Sequence, residues 1–183
     1  MKRNILLLLL MAGSLFTPSQ AKAADRDVSE MTNKERIFVG GFVGVQLGTF
    51  TAINLHLHVG YLITNRFSAG IGGNYQYAND RFLGQSHSSH VVGGSVFARF
   101  RVVDHFFLHS EVERLRLQSR AGLIAPEDRP TITENNVLVG VGYGLPLSDR
   151  VRVNLLLLYN LNEKSQVYFD NPFFKVGVDI YLN

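Results

Sequence analysis

Eight stretches of this chain alternate in character at every second residue, and one of the two resulting faces carries no charge at all. The stretches are residues 37–47, 53–62, 67–77, 91–102, 106–113, 136–145, 151–161 and 173–182. Successive side chains of a β-strand point to opposite sides, so a period of two sorts each stretch into two faces. Over all eight, one face collects 43 positions, of which 39 are apolar or aromatic, three are Gly and one is Ser. The chain's own charged fraction of 18% would place about eight charges there. The other face has 40 positions: seven charged, twelve uncharged polar including His, ten Gly and eleven apolar.

Which face points outward decides the class of protein. A soluble eight-stranded barrel turns its apolar side chains inward. That would force 39 mostly large apolar groups into a lumen that eight strands barely leave open. It would also leave water facing only seven charges. The inverse arrangement fits both facts, with small and hydrogen-bonding groups in a narrow lumen and the apolar face against lipid. In hydrocarbon an open sheet edge leaves backbone groups unpaired, so the sheet must close. The expected fold is all-β, an eight-stranded antiparallel up-and-down transmembrane β-barrel over residues 37–182.

The first 23 residues read as a signal peptide. Lys2 and Arg3 begin it, residues 5–16 form an apolar core, and Ala21-Lys22-Ala23 supplies a small-x-small cleavage site. Twelve helical residues rise only ~18 Å, short of the ~30 Å of a bilayer core. Residues 24–36 are polar and aperiodic, as expected of a flexible periplasmic lead-in. The formal charge of +3 includes Lys2, Arg3 and Lys22; without them fifteen basic residues face fifteen acidic ones. No basic surplus remains for a nucleic-acid partner. The chain has no Cys, hence no disulfide framework and no lipidated thiol.

The connections alternate. Residues 64–66, 103–105 and 146–150 are tight turns, whereas 79–90, 118–135 and 162–172 are longer loops, the rhythm of an outer-membrane barrel with its termini on the periplasmic side. Tyr61, Phe67, Tyr75, Tyr77, Phe100, Phe106, Tyr143, Tyr159 and Phe174 fall near strand ends on the apolar face, where aromatic girdles belong. Arg114 and Arg116 would meet lipopolysaccharide phosphates at the outer interface, unless Leu115 and Leu117 mark a bulge that turns them elsewhere.

The inward charges are Arg99, Arg101, Glu111, Glu113, Arg152, Lys175 and Asp179, and with His109 they make a candidate lumen network. Folding residues 91–102 on 106–113 about Asp104 sets Arg99 opposite His109 and diagonal to Glu111, which predicts an Arg99–Glu111 pair. Buried charges need partners, so the network reads as an ion-pair plug; a gated ion path is the alternative. His109-Ser110-Glu111 cannot form a relay as it stands, because Ser110 points away from its neighbours. His56 and His58 share the inward face near Asn54 and Asn74, for hydrogen bonding or for a metal. His87-Ser88-Ser89-His90 falls in a loop and reads as a polar connection. No catalytic set, cofactor site or metal site is expected.

Lys175-Val176-Gly177-Val178-Asp179-Ile180-Tyr181-Leu182 resembles the terminal signal read by the bacterial barrel-assembly machinery, a polar-x-Gly-x-x-hydrophobic-x-hydrophobic pattern met by Lys175, Gly177, Ile180 and Leu182. It departs from the commonest form in lacking a terminal Phe and adding Asn183. FVGGFVGVQLGT at 38–49, residues 58–77, GGSVFARF at 93–100, residues 135–151 and LLYNLNE at 157–163 resemble an uncharacterised family of small bacterial outer-membrane β-barrel proteins, known as the outer membrane protein beta-barrel domain or porin family. The resemblance implies fold and location only; the expected partners, outer-membrane lipid, lipopolysaccharide and the assembly machinery, follow from the apolar face, from Arg114 and Arg116, and from the terminal signal-like strand. The resemblance brings no catalytic residues.

The expected role is non-enzymatic: envelope integrity, or presentation of surface loops to a ligand the sequence does not name. A narrow pore for ions or small solutes is one alternative. A lipid A-modifying enzyme is another, although it would require a Ser/His/acid set at the outer interface that the sequence does not supply.

Overall fold

In the computed structural model of the chain, residues 27–46, 50–82, 85–120, 131–165, 167–168 and 171–182 are described. The signal-peptide stretch lies outside them. Eight strands follow in order: β1 (Ile37–Gln46), β2 (Phe50–Leu62), β3 (Phe67–Phe82), β4 (Gln85–Arg101), β5 (Phe106–Arg120), β6 (Thr131–Pro146), β7 (Val151–Asn160) and β8 (Phe173–Tyr181). Each pairs antiparallel with the next, and β1 pairs antiparallel with β8, from Phe38 opposite Tyr181 to Val43 opposite Val176. The sheet is a closed eight-stranded up-and-down barrel, as the two-faced alternation predicts.

Short turns join β2 to β3, β4 to β5 and β6 to β7. Their backbones close on themselves, with Ile63 N–H donating to the Phe67 carbonyl at 2.9 Å and Leu147 N–H to that of Val151 at 2.8 Å. Thr64 Oγ1 accepts from Phe67 N–H, and Ser148 Oγ from Val151 N–H, so a small hydroxyl residue holds two of the turns. The opposite end differs from expectation. Strand reaches into two stretches expected as loops, over residues 79–82 and 85–90 of the first and 118–120 and 131–135 of the second: β3 and β4 pair up to Phe82 opposite Gln85, and β5 pairs with β6 as far as Gln118 opposite Thr131, while residues 121–130 lie outside the described ones. Once both faces of a hairpin are polar, alternation vanishes from the sequence while the backbone ladder continues.

The faces sort as the pattern requires. Outward side chains are exposed in rows, for example Val43, Leu57, Ile71, Val96, Val112, Val141, Leu155 and Val176. Ring-bearing residues edge the belt, with Phe67, Phe100, Phe106 and Tyr143 near the short-turn end and Tyr75, Tyr159 and Phe174 towards the other. Leu115 and Leu117 mark no bulge. Register runs unbroken from Gly94 opposite Arg114 to Val91 opposite Leu117, so Leu115 is buried in the lumen while Arg114 and Arg116 stay outside.

The lumen holds more large apolar groups than its polar character suggests. Phe42, Phe107, Leu138, Leu156 and Leu158 form one cluster. At the short-turn end Phe38, Leu62 and Phe97 pack around Val28, with Met31 and Tyr181 beside them. Val28 begins a short 3-10 helix, Val28–Glu30, N-capped by Asp27, whose carboxylate accepts from Ser29 N–H and is held below the usual carboxylate range by that interaction. Val28 N–H donates to Asn65 Oδ1 at 2.6 Å, tying this segment to the β2–β3 turn. At the far end Val167, from the β7–β8 connection, packs on Val91 and Leu115. The lumen is therefore occupied at both ends by segments from outside the strands.

Candidate functional site: the charged lumen

Inward positions of β2, β4, β5 and β8 place seven buried titratable side chains along the lumen: His56, His58, Arg99, His109, Glu111, Lys175 and Asp179, with Glu113 beyond them. At the level nearest the short turns, Arg99 Nη1 donates to Asp179 Oδ2 at 2.6 Å. The other carboxylate oxygen lies 2.7 Å from His58 Nε2. Arg99 is also enclosed by rings: its guanidinium carbon lies 4.8 Å from the Phe97 centroid, 5.4 Å from Phe42, 5.5 Å from Phe107 and 5.6 Å from Phe38. Cation–π attraction gains strength where water is excluded, and a guanidinium is well suited to it.

Each of the four rings stands directly across the sheet from a glycine: Phe38 from Gly60, Phe97 from Gly70, Phe107 from Gly142 and Phe42 from Gly177. A β-carbon at any of these glycines would collide with the facing ring. The glycines are there for space, since only a residue without a side chain lets a phenyl ring lie against the barrel wall. Gly177, a member of the terminal signal-like pattern with Lys175, Ile180 and Leu182, has this role towards Phe42.

The expected Arg99–Glu111 pair does not form. Arg99 stands opposite His109, as the fold about Asp104 requires, but its guanidinium crosses to β8 on the far wall. The diagonal-neighbour argument belongs to an open sheet, where a side chain finds partners only on its own face. In a barrel this narrow the opposite wall is as near as the next strand. Glu111 instead meets His56 and His109, each at 3.3 Å, and Lys175 at 3.7 Å.

Further along, Lys175 Nζ lies 3.5 Å from Glu113. Glu113 accepts from Asn74 Nδ2 at 3.1 Å and from the Tyr168 hydroxyl at 2.7 Å. Tyr168 comes from the β7–β8 connection and stacks on Phe173, ring centroids 4.7 Å apart. Sequence reasoning missed Tyr168, because a tyrosine in an aperiodic loop carries no sign of facing inward. The network so built holds two cations against three carboxylates, with three imidazoles among them.

Arg101 and Arg152 are half-buried at the short-turn mouth. With Arg99, Asn154 and Asp179 they line a cavity of about 30 Å³, room for about one water molecule. Arg152 lies 5.8 Å from the Tyr181 ring centroid. Ser110 faces outward while His109 and Glu111 face in, so the three form no relay. His56 and His58 hydrogen-bond within the lumen, to Ser95 and Asp179. Among the described residues no group of three His, Cys, Asp or Glu side chains is arranged to hold a metal. His90 lies outward against Tyr75, Nδ1 to hydroxyl 3.1 Å; the side chains of His87 and Ser88 lie outside the described residues.

These features define a closed eight-stranded barrel with a charged, filled lumen and an apolar outer belt. Among solved structures it is similar to the N-terminal beta-barrel domain of Pseudomonas aeruginosa OprF, with a TM-score of 0.38 and 8% sequence identity over 82% of this chain and 98% of that one. No family model matches the chain, and no curated protein does.

Proposed function

We propose that this protein is a non-enzymatic integral barrel of the bacterial outer membrane, reached through a cleaved signal peptide, that serves envelope integrity and carries its longer hairpins on the outside. One observation carries the reading: a closed belt of mostly large apolar side chains, half or more exposed at Ile71, Val96, Val112, Leu155, Phe174 and Val176. A soluble surface rarely exposes contiguous apolar patches above a few hundred Å², and a closed ladder satisfies every backbone group that lipid cannot. The lumen supports a structural role over a conducting one, because paired charges and rings fill it and its ends are stopped by Val28 and Val167.

Fractionation of the expressed chain tests this. The protein is expected in the outer-membrane fraction, folded protein migrating differently before and after boiling, with no steady conductance in planar bilayers. Recovery as a soluble periplasmic species overturns the membrane reading. Steady conductance would make the barrel a pore, and altered lipid A in a deletion strain, restored by the wild-type gene, would make it an enzyme.

A further inference from the structure

Among the described side chains on the outer face of the barrel, Arg114 and Arg116 are the only charges. Both are exposed and neither has an ion pair among the described residues. The other described cations on the strand faces turn inward, to the carboxylate–ring network or the short-turn mouth. With no ion pair among the described residues, two arginines on a wall of mostly apolar side chains suit a partner supplied by the surroundings, because an unpaired guanidinium beside hydrocarbon is costly.

Their height along the barrel says where that partner lies. Phe106 marks the short-turn edge of β5, and Arg114 and Arg116 follow eight and ten residues later. At ~3.3 Å per residue and a tilt of ~40°, they stand ~20 and ~25 Å above Phe106. The apolar band of such barrels is ~25 Å tall, so both guanidinium groups reach the far interface, where lipid headgroups begin.

The neighbours on adjacent strands are polar too. Arg116 pairs in register with Thr133 and Arg114 with Asn135, both exposed on β6, and on the other side lies Val92, with Tyr75 and His90 hydrogen-bonded to one another nearby. On the β4 side Gly94 stands opposite Arg114, and Gly73 opposite Gly94; a β-carbon at Gly73 would meet nothing within 4 Å. Beside Arg114 the outer wall is thus recessed, with the exposed Val96 and Ile71 one outward position nearer the short turns.

We propose that Arg114 and Arg116, flanked by Thr133 and Asn135, bind the phosphorylated sugar headgroup of an outer-leaflet glycolipid, the lipid A part of lipopolysaccharide, with an acyl chain lying over the Gly73–Gly94 recess. Arginine suits the task because its planar fork donates two parallel hydrogen bonds to a phosphate. Two such forks one outward position apart match a headgroup bearing more than one phosphate and several hydroxyls, which Thr133 and Asn135 can meet. The proposal rests on the membrane reading above and adds a particular lipid and a particular place on the wall.

The test uses the full chain purified from membranes in a non-ionic detergent, with bound lipid counted by native mass spectrometry. Diphosphorylated lipid A, its dephosphorylated form and phosphatidylglycerol are the three probes. Wild-type protein is expected to bind one diphosphorylated lipid A in preference to the other two. The double substitution Arg114→Gln/Arg116→Gln is expected to weaken that binding about tenfold or more, the scale of a single charge-assisted hydrogen bond. Arg150→Gln, at the short-turn end, should leave it unchanged. Asn135→Glu sets a carboxylate beside Arg114 without removing either arginine, and is expected to weaken binding as well, which covers a double variant that fails to fold. Equal binding by wild type and variants, equal binding of the dephosphorylated lipid, or equal binding of phosphatidylglycerol overturns the proposal while a heat-modifiable barrel upholds the membrane reading. Absence of the chain from the membrane fraction overturns both.

Discussion

Arg99 on β4 and Asp179 on β8 join opposite walls of the barrel through an ion pair of 2.6 Å, both side chains buried. The pair is a strut across the lumen, its members four strands apart in either direction round the sheet. Removing one member of a buried pair leaves the other charge stranded, typically at ~3–5 kcal/mol. Arg99→Ala and Asp179→Ala are each expected to lower the unfolding midpoint substantially in detergent or vesicles. The double substitution should cost less than the two singles added, because either single by itself already breaks the pair. The same cycle on Arg99 and Glu111 should be nearly additive. Coupling found in the second cycle and absent from the first would contradict the geometry.

The glycine under each phenyl ring gives a prediction by position. Gly60→Val drives a branched side chain into Phe38, and overpacking of a filled core typically costs ~1–3 kcal/mol. Gly73→Ala, on the outer wall, adds a methyl group with nothing within 4 Å and should leave stability nearly unchanged. Urea midpoints of the two variants in the same vesicles check the contrast. Similar effects at both positions would mean that Phe38 does not lie over Gly60.

The strands, their two faces and the closure were legible because each rests on the period of two, a signal that neighbouring residues carry by themselves. Arg99 facing His109 was legible for the same reason, since a tight turn at Asp104 fixes register locally. The partner of Arg99 was not. Asp179 comes from the last strand, and meeting it depends on barrel closure and on how far register shifts in one circuit, which no local pattern records. Phe38 and Gly60 can be matched once β1 is folded on β2, so the ring–glycine pairs lay within reach of a register argument. Val28 and Tyr168 did not, because each is one inward-turning side chain in an aperiodic segment.

The face assignment can be tested by depth. Leu155 is exposed on the apolar belt four residues into β7, ~10 Å from the short turn at ~3.3 Å per residue and a tilt of ~40°, and Thr133 lies beside Arg116 near the upper edge. An arginine at the midplane of a membrane barrel costs ~2–4 kcal/mol, falling to ~0–1 near the interface. Leu155→Arg should therefore impair folding into vesicles far more than Thr133→Arg. In water alone neither exposed site would discriminate so strongly, so equal tolerance would remove the support for a lipid-facing belt.

Tyr168 is the point where a connection outside the strands holds the lumen network. Its hydroxyl donates to Glu113 at 2.7 Å, Glu113 is fully buried, and the remaining donors near that carboxylate are Asn74 at 3.1 Å and Lys175 at 3.5 Å. Tyr168→Phe keeps the ring stacked on Phe173 and takes away only the shortest of these hydrogen bonds. Loss of one partner from a buried polar group typically costs ~1–3 kcal/mol, so the unfolding midpoint should fall measurably. Tyr159→Phe, whose ring is on the exposed outer face, supplies the control and should change little. Conductance of the Tyr168→Phe barrel in planar bilayers should stay at the wild-type baseline, because Val167 still packs on Val91 and Leu115 and the Arg99–Asp179 strut still crosses the lumen below. A midpoint equal to wild type would show that the hydroxyl contributes nothing to the network, and steady current through the variant would show that Tyr168 closes an otherwise open path.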